Sequence, residues 1–344
     1  MNIASFFSGC GGMDLGFHNA GFNVEWANEN ASAVWPTFER NFPNTTLSKV
    51  SIKKITANDV PSVCGIIGGP PCQSWSNAGS RRGIMDYRGM LFFDYIQLIN
   101  EKQPLFFVAE NVEGLLSQRN ENAYNMILNS LTEAGYNVIP QIVNARDYNV
   151  PQSRKRVFFV GYRDDLDLHF EFPEPHAERV TVRQAIEDLT DNAVPARDLK
   201  YSNIDGCKFL NHEYWEGGYS YIFMSRNRVL DWDSQSFTVQ ASGRQTSFHP
   251  QAPAMIPVER DVRILDPKHL DKYRRLSVRE CARLQTFPDN FEFIYDKLDA
   301  AYKMIGNSVP VNLSFAIAEK IHEDLAALNI NEWFPRFEVQ QAIG

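Results

Sequence analysis

A thiol and a carboxyl group stand at the ends of two apolar, strand-like runs. Cys72 lies in Gly68-Gly69-Pro70-Pro71-Cys72-Gln73-Ser74-Trp75-Ser76, directly after the run 63–67, and Glu110 ends the run 105–109 and is followed by Asn111-Val112. Open α/β sheets bind ligands at the carboxyl ends of their strands. Two strand ends can therefore bring a nucleophile and an acid to one pocket. Pro70 and Pro71 restrict the backbone on the approach to the thiol, as expected where a nucleophile is held at attack distance. Taken singly, a cysteine after a turn is more often inert and a strand-end carboxylate more often structural. The pairing is what points to chemistry.

A second group of residues suits a nucleotide-like ligand. Phe6-Phe7-Ser8-Gly9-Cys10-Gly11-Gly12 follows a strand-like run and precedes a helix-like one, where glycines permit a tight turn and close approach of backbone to ligand. Asp14 stands where a dinucleotide fingerprint would place its third glycine, which argues against a nicotinamide dinucleotide. Glu29 ends the next strand-like run, about 18 residues after the turn, where a carboxylate accepts hydrogen bonds from ribose hydroxyls in such folds. A glycine turn made only for packing is the alternative.

Positioning these groups requires a sheet, and the sequence supplies its rhythm. Strand-like segments near 2–7, 24–28, 63–67, 105–109 and 157–162 alternate with helix-like ones near 13–20, 31–40, 90–101 and 120–134, the pattern of a parallel α/β sheet. After Pro173 the rhythm gives way to Pro-rich, polar and aromatic sequence. Near the end, Ser308 could cap a helix with Pro310 in its first turn and Leu313, Ile317, Ile321 and Leu328 on one face. The expectation is an α/β protein: a Rossmann-like catalytic and cofactor-binding domain over 1–180 plus 300–330, a smaller irregular, mostly β domain over 181–275, and a connecting segment over 276–299.

Composition narrows the class. The 344 residues are 44 % apolar and 22 % charged, with no apolar run long enough to span a bilayer and no basic, apolar leader at the start, so a cytoplasmic protein is expected. The five cysteines are odd in number and form no C-x-x-C pair, so free thiols are expected rather than disulfides or a metal site. The net charge is −8, yet residues 222–284 hold eleven Lys and Arg against seven Asp and Glu. That local excess suits a nucleic-acid partner or, equally, a solvated face with scattered ion pairs.

The order of these blocks resembles the DNA cytosine-5 methyltransferase family. Further blocks agree: Gln152-Ser153-Arg154-Lys155-Arg156-Val157 resembles its basic motif, Arg279-Glu280-Cys281-Ala282-Arg283 its late helix motif, and Gly306-Asn307-Ser308-Val309-Pro310 its final cofactor-side motif. The resemblance covers nearly the whole chain. It implies an enzyme that moves a methyl group from S-adenosylmethionine to carbon 5 of a cytosine turned out of double-stranded DNA. By resemblance Cys72 is the nucleophile that adds to carbon 6, Glu110 holds ring nitrogen 3 and the exocyclic amine, Arg156 orients the base, and Arg154 adds positive field. Phe7 would pack on the adenine, Glu29 accept from the ribose, and Gly9, Gly11 and Asn307 form the methionine side, with Gly12 and Asn30 also among the cofactor-binding residues. The family usually carries Gly-Asp-Ile where this chain reads Val50-Ser51-Ile52. Ser51 can accept a hydrogen bond but brings no charge to the adenine amine.

The irregular segment corresponds to the family's target-recognition domain. Ser225-Arg226-Asn227-Arg228 and Phe237-Thr238-Val239-Gln240-Ala241-Ser242-Gly243-Arg244-Gln245 resemble the HaeIII-type branch, whose site is GGCC. Arginine reads guanine bidentately in the major groove, so Arg226, Arg228 and Arg244 are candidate readers, with Thr238, Gln73 and Ser76 as further DNA contacts. Some of these groups could instead touch only phosphates. The resemblance further implies a restriction-modification setting with a companion endonuclease on the same site, and a monomer suffices for one flipped base. A transfer-RNA methyltransferase and a catalytically silent DNA-binding protein are the rival readings.

Overall fold

The computed structural model describes residues 1–71 and 90–328. Cys72, Gln73 and Ser76 lie outside the described residues.

The expected alternation forms one seven-stranded sheet. Its strands are β1 (Asn2–Phe6), β2 (Asn23–Asn28), β3 (Thr46–Ser48), β4 (Gly65–Gly68), β5 (Phe106–Val112), β6 (Tyr136–Asn144) and β7 (Lys155–Arg163), in the order β3-β2-β1-β4-β5-β7-β6. Strands β1 to β5 pair in parallel; β7 runs antiparallel to both β5 and β6. The wholly parallel sheet expected from the sequence is thus corrected at one edge. The edge strand β6 carries Pro140, which cannot donate to a ladder and is tolerated at a sheet edge, and its broken alternation hid the strand.

Helices α1 (Gly12–Asn19), α2 (Trp35–Asn41), α3 (Met90–Lys102) and α4 (Glu121–Glu133) fill the crossovers. The expected helix near 31–40 is divided, with a 3-10 turn at Ser32–Val34 ahead of α2 and Pro36 in the first turn of α2. Two apolar layers sandwich the sheet. One gathers Phe17, Phe22, Phe106 and Val108 with the C-terminal helix, and the other gathers Phe92, Tyr95, Ile99, Phe107 and Ile127. Full burial of each such side chain contributes about 1.5–3 kcal/mol.

The later helices are α5 (Val182–Ile186), α6 (Val278–Leu284), α7 (Leu298–Asn307) and α8 (Val311–Ala326). Ser308 closes α7, and Pro310, not Ser308, occupies the cap position of α8. Leu313, Ile317, Ile321 and Leu325 form its buried face; Leu328 lies beyond the helix end and is only partly buried. Helix α8 returns to the sheet against α1, where a side-chain carbon on Gly16 would come within 2.0 Å of Ser314 Oγ. Only glycine permits that approach.

Between α5 and α6 the chain is irregular, as expected. Its β content is four short strands: β8 (Val194–Pro195) pairs with β9 (Glu213–Tyr214), and β10 (Ile256–Glu259) with β11 (Val262–Ile264). A small core of Phe223, Val229, Phe248, Ala252 and Met255 sits inside it.

Candidate active site and recognition cleft

Register brings Glu110 and Arg156 together. Val112 lies opposite Arg156 and Glu110 opposite Phe158, so the two side chains are diagonal neighbours on one face of the β5–β7 pair. Arg156 Nε lies 2.9 Å from Glu110 Oε1, with the side chains only 16 % and 12 % exposed. A charge-assisted bond in such a setting contributes about 1.5–3 kcal/mol. The turn after β4 approaches the Glu110 carboxylate: a side-chain carbon on Gly69 would stand 3.4 Å from Glu110 Oε2. Asn111, 3 % exposed, donates from Nδ2 to the Pro70 carbonyl at 3.0 Å and accepts from the Val112 amide at 2.8 Å. The chain entering Cys72 is thereby tied to the end of β5. Asn111 had appeared in the sequence only as part of a motif; its signal was a polar residue at the mouth of an apolar strand.

Arg154 takes a different place from Arg156. It is 2 % exposed and donates from Nη1 to the Gly306 carbonyl at 3.0 Å, joining the approach to β7 with the end of α7. Burial, then the neighbouring Arg156 charge, push its pKa well down, while Glu110 works in the opposite direction.

On the other side of β1, Phe7, Gly9 and Gly11 have φ of 54°, 56° and 92°. A side-chain carbon on Gly9 would meet nothing within 4 Å, so the turn is an open cradle. Glu29 supports it from the end of β2. Its Oε2 accepts from the Gly9 amide at 2.9 Å and its Oε1 from the Ala31 amide at 2.7 Å. A carboxylate has about four acceptor sites, so lone pairs remain for ligand hydroxyls. Burial raises its pKa, and the three backbone amides it meets oppose that rise. Gly12 is buried against Ser308 and Val309, which brings the exposed Asn307 alongside the turn. Asn30 is exposed and Ser51 half-buried. Asn28, 1 % exposed, donates to the Ser48 and Val50 carbonyls at 3.0 and 2.8 Å and so fixes the segment carrying Ser51. The open cradle and ring-sized Phe7 beside a hydroxyl-accepting carboxylate fit an adenosine-bearing cofactor; Phe7, Gly9, Gly11, Glu29 and Ser51 could hold it.

A third feature is a cleft of about 300 Å³ lined by Ser153, Arg226, Arg228, Phe237, Thr238 and Gln240 among others. It runs between the approach to β7 and the irregular segment. Thr238 Oγ1 donates to the Ser153 carbonyl at 2.9 Å, and the buried Gln152 accepts from the Val239 amide at 2.9 Å while donating to Leu284 and Gln285. Arg226 is exposed and forms no ion pair with a described residue. Arg244 is exposed, with Nη2 3.3 Å from the Tyr219 carbonyl, and Arg228 donates to the Phe223 and Ile222 carbonyls at 2.9 and 3.0 Å. The basic excess of 222–284 is only partly a surface property. Arg274, Arg275 and Arg279 are buried, and Arg274 forms a bidentate pair with Glu280 at 2.8 and 2.7 Å.

The sheet order and the glycine turn with its carboxylate give a Rossmann-like α/β fold of the kind shared by S-adenosylmethionine-dependent methyltransferases. A family model described as C-5 cytosine-specific DNA methylase matches residues 1–323. The chain is 52 % identical over 328 residues to the Type II methyltransferase M.FnuDI of Fusobacterium nucleatum, covering 94 % of this chain and 95 % of that protein. It is 51 % identical over 331 residues to M.NgoPII of Neisseria gonorrhoeae, covering 94 % and 96 % of the two chains. Among solved structures, a Spodoptera frugiperda DNMT2 mutant shares the fold with a TM-score of 0.68 at 18 % identity, covering 94 % of this chain and 99 % of the other. The chain belongs to the C-5 cytosine-specific DNA methylase family and is a DNA cytosine-5 methyltransferase. Among the described residues no helix is long and apolar enough to cross a membrane.

Proposed function

We propose that the enzyme methylates carbon 5 of a cytosine within GGCC, after turning that base out of the duplex, as the modification partner of a restriction endonuclease. The Type II names of its relatives support the restriction-modification setting. The observation that carries the chemistry is the Glu110–Arg156 pair, 2.9 Å apart beside the turn that leads into Cys72.

Carbon 5 of cytosine is a poor nucleophile. Addition of the Cys72 thiolate to carbon 6 moves electron density onto the ring and makes carbon 5 enamine-like. Glu110 offsets that density by holding nitrogen 3 and the exocyclic amine, and Arg156 fixes the orientation of both Glu110 and the base. When bound, S-adenosylmethionine supplies an electrophilic sulfonium methyl. Loss of the carbon 5 proton then expels the thiolate from carbon 6 and frees the methylated base. Arg154 acts through the Gly306 carbonyl and its field. Phe7, Gly9, Gly11, Gly12, Glu29, Asn30, Ser51 and Asn307 make up the cofactor side.

The reacting atoms are inaccessible in a stacked duplex, so the base must be rotated out at a cost of a few kcal/mol, which DNA contacts offset. Gln73, Ser76 and Thr238 join the backbone or base contacts near the cytosine, while the exposed Arg226 and Arg244 read guanine; Arg228, whose guanidinium is bonded to the Phe223 and Ile222 carbonyls, supports them rather than reading a base. In this reading 1–180 with 300–330 form the catalytic domain, 181–275 the recognition domain and 276–299 the link. One chain acting in the cytoplasm suffices.

The test is transfer of labelled methyl to duplexes with and without GGCC, by the native enzyme and by Cys72→Ser. Label on GGCC alone, lost in the variant, is the expected result. Label on other sequences would overturn the specificity, and label retained by the folded variant would overturn the nucleophile.

A further inference from the structure

Arg275 is 3 % exposed and carries no ion pair to a described residue. Both terminal nitrogens of its guanidinium are committed to backbone, while the buried Nε has no partner. Nη1 donates to the Trp215 and Gly217 carbonyls at 3.2 and 2.7 Å, and Nη2 to the Gly218 carbonyl at 3.2 Å. The same group lies 4.4 Å from the Tyr219 ring centroid. Tyr219 stacks on Phe223 with centroids 5.1 Å apart and planes inclined by 13°. The Arg228 guanidinium lies 5.3 Å from the Phe223 ring centroid. The Arg275 guanidinium also lies 5.7 Å from the Phe223 ring centroid, so it meets both stacked rings, and these contacts fix the segment 215–223 against the small core around Phe248. Both exposed candidate readers hang from it: Arg226 follows Phe223 by three residues, and Arg244 bonds to the Tyr219 carbonyl.

We infer that Arg275 is a positioning residue for sequence discrimination, holding the 215–223 segment so that Arg226 and Arg244 meet the DNA in a fixed geometry. The inference rests on the guanine-reading role proposed for Arg226. A planar fork suits the task, because one group satisfies three carbonyls and stacks on a ring at the same time. An ammonium reaches fewer carbonyls and lacks the flat face. Burial of this cation lowers its pKa, a cost the carbonyls and ring must offset. All three carbonyls and the stacked ring belong to the segment preceding Arg226, and none belongs to the cofactor side.

Native enzyme, Arg275→Lys, Tyr219→Leu and Arg226→Ala are compared for methyl transfer to GGCC and to duplexes altered at one pair. Cofactor affinity from tryptophan fluorescence and thermal unfolding are measured alongside. Arg275→Lys and Tyr219→Leu are expected to bind S-adenosylmethionine within about twofold of native while discrimination between sites falls about tenfold, with KM for DNA moving more than kcat. Should Arg275→Lys fail to fold, Tyr219→Leu decides, since it removes the stacked ring and leaves the carbonyls bonded. Native discrimination in the folded variants, with discrimination lost in Arg226→Ala, overturns the positioning role alone. Native discrimination in Arg226→Ala overturns the reading of that residue and the positioning role with it.

Discussion

The sheet edge and the recognition segment hold their functional side chains by opposite means. At the sheet edge, backbone register does the positioning: Glu110 and Arg156 meet because β5 and β7 pair antiparallel, and any side chains at those two positions would be neighbours. In the irregular segment the four strands are two to four residues long, and side chains replace the ladder. Arg275 and Arg228 bind carbonyls, Gln152 binds the Val239 amide, and Asp299 accepts from the Gly243 amide at 2.9 Å and from Ser242 Oγ at 3.1 Å. The contrast teaches that the strand-end pair sits on a frame tolerant of sequence change, whereas the shape of the irregular segment depends on individual polar side chains.

The sharpest way to break the contrast is to remove one such side chain. Arg274→Ala leaves Glu280 buried without its bidentate partner, and loss of a buried pair costs about 3–5 kcal/mol. Urea unfolding should show that loss; a change below about 1 kcal/mol would mean the segment is held by packing instead. At the sheet edge, Glu110→Gln keeps shape and register but not charge. Methyl transfer should fall about 10²–10³-fold in single-turnover kinetics while discrimination between DNA sites is retained. Loss of both together would show that the two regions are not separable.

A pH effect belongs to the sheet side. Asp14 on α1 is fully buried, and burial, opposed by the Ser5 hydroxyl and its own backbone amide, pushes its pKa from 3.8 up to about 7. Its folded form therefore favours the proton. That contribution is complete below about pH 4 and is lost as pH rises through about 7. Asp14→Asn should be roughly 2–4 kcal/mol more stable than native at pH 8, with the difference vanishing near pH 4. A difference independent of pH would contradict the assignment. The smallest effect concerns the cofactor side, where Ser51→Asp would exchange a neutral acceptor for a charged one. Calorimetry should show S-adenosylmethionine bound more tightly by about 1 kcal/mol.

Much of the sheet was legible because its cues are local: apolar runs of strand length, glycines at a turn, Glu29 and Glu110 at strand ends. The strand-end pair was legible as two separate motifs, with Arg156 assigned by resemblance alone. The antiparallel edge was not, because Pro140 and exposed positions in β6 disrupt the alternation that marks a strand. Arg275 was counted only among the basic residues of 222–284, Gln152 appeared only as part of a motif, and Asn28 and Asp299 went unremarked. Their partners are carbonyls and amides about 20 to 132 residues distant, and backbone groups leave no trace in residue type. The basic excess of 222–284 could not be apportioned between surface and interior for the same reason, since burial cannot be read from charge.

The central claim, that Cys72 adds to carbon 6 of a cytosine beside Glu110 and Arg156, is tested most directly with a GGCC duplex carrying 5-fluorocytosine. Fluorine at carbon 5 cannot leave as a proton does, so elimination of the thiol is blocked after methyl transfer. Mass spectrometry of the digested protein should find the nucleotide covalently attached to the peptide containing Cys72, dependent on S-adenosylmethionine. An adduct on another residue, or methyl transfer with no adduct at all, would contradict the account.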